Sequence, residues 1–105
     1  MEKADIEAIP IIKTFDLKDE KDAYDAAEEM VRIGFYKEKK GFKVLMSKES
    51  KKTAKRIGYI ITTSVTSDLK KAGQERDIQY WTYHHDKEHY AIVLVSSKVV
   101  QELGF

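Results

Sequence analysis

Apolar residues at Ala54, Ile57, Ile61, Val65, Leu69 and Ala72 recur at spacings of three and four, closing at Gly73. That period puts all six on one side of an α-helix. The segment also holds GYIITTSVT, residues 58–66, so rich in β-branched side chains that propensity alone reads it as a strand. The stripe crosses this run without a break, and no turn signal interrupts it before Gly73, so the pattern predicts one long helix. Such a helix must lay its apolar side on another layer. The flanking sequence supplies strands.

Residues 1–8 are polar and are expected to form a loose arm, with a single domain over residues 9–105. Residues 9–15, IPIIKTF, read as a strand whose Pro10 sits at its start, where a missing donor is tolerated. Asp16 or Asp19 can cap a following helix, and Asp19, Glu20 and Asp22 suit the positive end of its dipole. Tyr24, Ala27, Met30 and Val31 mark the buried side of that helix, and Gly34 its end. Residues 42–46, FKVLM, form a second strand, with Phe35 and Tyr36 read as closing the preceding helix. After the long helix, residues 77–85 and 89–95 are aromatic and β-branched runs separated by Asp86, Lys87 and Glu88, a hairpin. A short helix at residues 98–103, opened by Ser96 or Ser97, ends the chain. The order β-α-β-α-β-β plus a short C-terminal helix predicts an α/β (α+β) domain, a mixed sheet with two main helices on one face. The other face is then expected to be open to solvent or a partner.

Charge is unevenly placed. The 105 residues include 19 basic and 18 acidic side chains, yet residues 37–56 hold nine basic and two acidic ones. Everything else is acidic. Lys39, Lys40 and Lys43 lie before and within the second strand, and Lys48, Lys51, Lys52, Lys55 and Arg56 at the start of the long helix. Cations beside the free amides of a helix start match phosphates, with salt-dependent affinity that is mostly indifferent to sequence. Lysine rather than arginine also argues against base-specific readout. The contrasting reading is a solvated surface, or a surface for an acidic protein. With no cysteine, thiolate metal sites, disulfides and cysteine nucleophiles are excluded. No signal-like or membrane-spanning apolar run is present. The chain is therefore expected to be intracellular, in the cytoplasm.

The hairpin concentrates Tyr80, Trp81, Tyr83, His84, His85, His89 and Tyr90. Exposed aromatics on a sheet can stack bases, or meet a second copy in a homodimer. Trp81 and Tyr83 face one side and Tyr80 and Thr82 the other, so one pair is expected in the core. A two-residue turn would set His84 opposite His89, and a three-residue loop His85 opposite His89. Either brings only two histidines together, short of the three or four ligands a zinc site needs, so no metal or cofactor is expected. Isolated glycines give neither a dinucleotide fingerprint nor a P-loop, and no hydrolase motif occurs. In element order alone the chain resembles Alba-type archaeal chromatin proteins. It carries no sequence motif of that family, and its hairpin loop, with Asp86 and Glu88 beside Lys87, lacks a long basic arm. That resemblance implies a binding module. The leading expectation is a non-catalytic nucleic-acid-binding module. The alternatives are a protein-interaction module and, more weakly, a small nuclease using His84 or His89.

Overall fold

A computed structural model describes residues 2–35, 39–47 and 51–104. Four strands and four helices follow in the order α1 (Lys3–Glu7), β1 (Ile11–Leu17), α2 (Asp22–Ile33), β2 (Gly41–Ser47), α3 (Lys51–Lys71), β3 (Ile78–His84), β4 (His89–Ser96) and α4 (Ser97–Glu102). The strands form one mixed sheet, as the α+β pattern predicts, and their order is β1-β2-β4-β3. β1 and β2 are parallel, while β4 runs antiparallel to both of its neighbours, β2 and β3.

The β-branched run of residues 58–66 is helical, inside α3. Ala54, Ile57, Ile61, Val65 and Leu69 are all buried, so the stripe outweighs intrinsic strand propensity. Ala72 lies past the end of the helix and is exposed. On α2 the buried side is Ala23, Ala26, Ala27 and Met30. Tyr24, expected among them, is 59% exposed, because the small alanines take the buried side and bring α2 close to α3, leaving the tyrosine outward. Gly34 ends α2 at φ 103°, a backbone conformation that favours glycine. Of the expected capping carboxylates, Asp19 accepts from the Lys21 N–H at 3.3 Å in the turn that leads into α2, while Lys21, directly before the helix, makes no side-chain cap bond. The Asp22 carboxylate also turns back to accept from the backbone N–H groups of Lys18 and Asp19, at 3.2 and 3.1 Å.

α2 and α3 cover one face of the sheet. Their side chains pack with Leu17, Phe42, Val44, Met46, Tyr90, Ile92 and Leu94. Phe35, buried after α2, meets Phe42 edge-on with ring centroids 4.8 Å apart. Tyr36 falls outside the described residues. The opposite face differs from the expected open surface. Ile6, Ile9, Val99 and Val100 close it over Ala91, Val93 and Val95, with Tyr83 in the same cluster. Residues 1–8 are accordingly not all a loose arm, since Lys3–Glu7 are helical and Ile6 is only 5% exposed. The physical reason is β4, whose residues from Tyr90 to Ser96 are buried on both faces and require a cover on each side. α4 begins as the sequence predicts, with the Ser96 hydroxyl accepting from the Val99 N–H.

Candidate nucleic-acid interface

The first two turns of α3 display Lys51, Lys52, Lys55 and Arg56, all exposed. Ala54 and Ile57 fix the helix to the sheet, and the i, i+4 pairs Lys51/Lys55 and Lys52/Arg56 then project side by side on the solvent side. Lys48 lies outside the described residues. Among those described, Arg56 pairs with Glu20 at 3.2 Å, whereas Lys51, Lys52 and Lys55 form no ion pair. The Lys55 carbonyl does accept from the Tyr80 hydroxyl, at 3.2 Å. A cleft of about 310 Å³ lies beside this helix start, lined by Leu17, Lys18, Glu20, Ser47, Thr53 and Arg56 among others.

The remaining lysines of the basic stretch are not brought to this point. Lys39, exposed with φ 55°, and Lys40, half-buried and partnered, precede β2, while α3 follows it. Seven residues of strand separate the two groups by roughly 20 Å. Lys43 lies within β2, directly across from Val93 of the second core cluster and half-buried. It shares the sheet face that α1 and α4 cover, so the sheet stands between it and α3.

Register brings in a group that local sequence patterns do not reveal. Ser47, the last residue of β2, pairs with His89, the first of β4. The β3–β4 tip therefore stands at the same end of the sheet as the start of α3, adding His84, His85 and Lys87, all exposed. The tip is the three-residue loop Asp86, Lys87 and Glu88, with the His85 N–H donating to the His89 carbonyl at 3.0 Å. Asp86 organises it. Its Oδ1 accepts from the backbone N–H groups of Glu88 and His89 at 2.8 and 2.7 Å, and the carboxylate lies 3.0 and 3.1 Å from His89 Nδ1. The bond from the Glu88 amide, followed by that to the His89 side chain, holds the Asp86 carboxyl below its ordinary range. Among the described residues no group of three histidines or carboxylates is placed to hold a metal ion.

The aromatic candidates divide. Tyr83 and Tyr90 are 8% and 6% exposed and belong to the two cores, so neither can stack a base without unpacking the domain. Tyr80 is half-buried beneath α3 against Gly58, where an added Cβ would lie 2.5 Å from the ring. Trp81 is half-buried on the other face, beside the second cluster. His84 is exposed, its ring 4.7 Å from that of Tyr90. Both faces of β3 are thus core-facing, and the expected contrast between an inner and an outer set does not hold. What stays available is the rim of Trp81 and the tip histidines.

Comparison with known protein families, curated proteins and solved structures finds no match to this chain. The chemistry of this end of the sheet must be read from its own groups. Several nearby carboxylates are already engaged: Glu20 by Arg56, Asp22 by two backbone amides and Asp86 by the loop it organises. What remains outward from α3 is positive charge on long, flexible stems, suited to point contacts with anionic oxygens. Among the described residues, no helix is long and apolar enough to cross a membrane.

Proposed function

We propose that this domain is a non-catalytic module that binds nucleic acid through the phosphate backbone, with Lys51, Lys52 and Lys55 as its principal contacts. The observation carrying this reading is that all three are exposed on adjacent turns of one helix, with no carboxylate partner among the described residues. Arg56 joins them by exchanging Glu20 for a phosphate, and Lys87 with His84 and His85 extends the surface from the hairpin tip. Lys39, Lys40 and Lys43 stand apart and are not needed. Lysines contribute charge neutralisation and counterion release, so the module recognises the backbone and not a base sequence.

Anisotropy titrations with labelled duplex DNA, single-stranded DNA and RNA test this. Contacts to about four phosphates predict a roughly hundredfold loss of affinity for duplex between about 50 and 200 mM salt. The K51E/K52E/K55E variant should bind at least tenfold more weakly at the lower salt. Absence of binding by the unaltered chain at about 50 mM salt refutes the proposal. Undiminished binding by the triple variant assigns the contacts to another surface.

A further inference from the structure

The two edges of the sheet are built differently. β1 is protected against pairing with another chain: Pro10 precedes it, its register with β2 slips between Ile11 and Lys13, and it carries Lys13 and Asp16. β3 has none of these devices. From Ile78 to His84 it contains no Lys, Arg, Asp, Glu, Pro or Gly, and its register with β4 is unbroken over seven pairs. Nothing among the described residues pairs with its outer side.

The phase of that free side is fixed by two hydrogen bonds. The Ser97 N–H donates to the Asp77 carbonyl at 2.8 Å, and the His85 N–H to the His89 carbonyl at 3.0 Å. Antiparallel alternation then turns the backbone groups of Asp77, Gln79, Trp81, Tyr83 and His85 toward β4. Those of Ile78, Tyr80, Thr82 and His84 point away from the sheet.

We infer that β3 is the contact for a second copy of this chain, which pairs antiparallel along this edge about a two-fold axis through Trp81. The outward groups are symmetric about residue 81, so the strand is complementary to itself over its whole length. Tyr80 meets Thr82 of the other copy, and Ile78 meets His84, forming about eight backbone hydrogen bonds. Trp81 stands opposite its own symmetry mate as a non-hydrogen-bonded pair, the arrangement in which cross-strand side chains come closest. The half-buried rim of the indole then gains an aromatic partner on the face away from α2 and α3. Two neutral strands meet without like-charge repulsion, and the four-stranded sheets join into eight. This inference does not depend on the nucleic-acid reading.

The absence of cysteine allows a direct test. Sedimentation of the unaltered chain should show a dimer dissociating with dilution in the micromolar range. T82P removes an outward N–H and spares every bond to β4. It should sediment as a monomer with an unchanged circular dichroism spectrum. Mild oxidation should link W81C into a covalent dimer across the axis, where the pair spacing suits a disulfide. Q79C alone should not cross-link, since residue 79 faces residue 83 of the other copy. A monomer at every concentration up to about 0.2 mM overturns the inference, as does a dimer that T82P leaves intact, or equal cross-linking of Q79C and W81C.

Discussion

Gly58→Ala probes a close approach of α3 to the sheet and decides whether Tyr80 is core or contact surface. A Cβ at residue 58 would lie 2.5 Å from Cδ2 and Cε2 of the Tyr80 ring, and 3.3 Å from Ile92. The ring cannot swing aside freely, because its hydroxyl donates to the Lys55 carbonyl on the same helix. Overpacking of this kind costs about 1–3 kcal/mol. Replacing glycine by alanine within a helix returns about 1 kcal/mol, so the single variant should be destabilised by about 0–2 kcal/mol. In a Tyr80→Ala background the ring clash is gone and only the 3.3 Å approach to Ile92 opposes the helical gain, so G58A should there be neutral or stabilise by up to about 1 kcal/mol. The double-mutant cycle thus predicts a coupling of about 1–3 kcal/mol. Urea unfolding followed by Trp81 fluorescence measures all four corners, Trp81 being the sole tryptophan. A coupling near zero would refute the packing argument and return Tyr80 to the set of residues free to contact a ligand.

Ile6→Ala should destabilise the domain by about 2–4 kcal/mol, since it removes a buried side chain from the second core; an unchanged urea midpoint would mean that α1 is not docked. Glu29 lies 3.1 Å from Lys13 and 2.9 Å from Arg32, and the hydrogen bond and charge of Lys13, followed by Arg32, hold its carboxyl below the ordinary value. A group depressed in the folded state stabilises above its unfolded pKa and loses that contribution as pH falls through the folded one. E29Q should therefore flatten the stability profile on the acid side of about pH 4.5 while matching the unaltered chain's slope above about pH 6; identical profiles would refute the pairing. D86N should loosen the hairpin tip, speeding amide exchange at Glu88 and His89 with little effect at Val93, and equal protection in both proteins would show that the loop does not need the carboxylate.

Much of the fold was legible because it follows from local periodicity. The α3 stripe predicted a helix through a β-branched run, Gly34 marked the end of α2, and the aromatic and β-branched runs on either side of Asp86, Lys87 and Glu88 marked the hairpin. Three features depend on tertiary context and carry weak local signals. α1 has five residues and one buried side chain, too little for a helical pattern to show. Tyr24 fitted the apolar period of α2, but the burial of Ala23, Ala26 and Ala27 rotates that side inward and leaves the tyrosine out. Tyr83 read as a candidate for stacking because one exposed sheet face was assumed, and α1 and α4 remove that face, while Tyr90 lies on the other face beneath α2 and α3. The start of α3 was legible as a cluster of cations. Its placement at the same end of the sheet as the hairpin tip was not, because that follows from the β2–β4 register, a pairing of residues far apart in sequence.

The placement of β4 has a consequence for how the chain reaches this structure during synthesis. It is the last of these four strands to leave the ribosome, yet it lies in the interior of the sheet, between β2 and β3. Until it arrives, β3 has no neighbour to pair with, and the parallel pair of β1 and β2 has an unfinished side. α3 can form locally, but Tyr90, Ile92 and Leu94, part of the core it packs in, are missing. The sheet therefore cannot be completed before β4 is available, and a nascent chain halted before His89 exposes unpaired strand edges to whatever else is near.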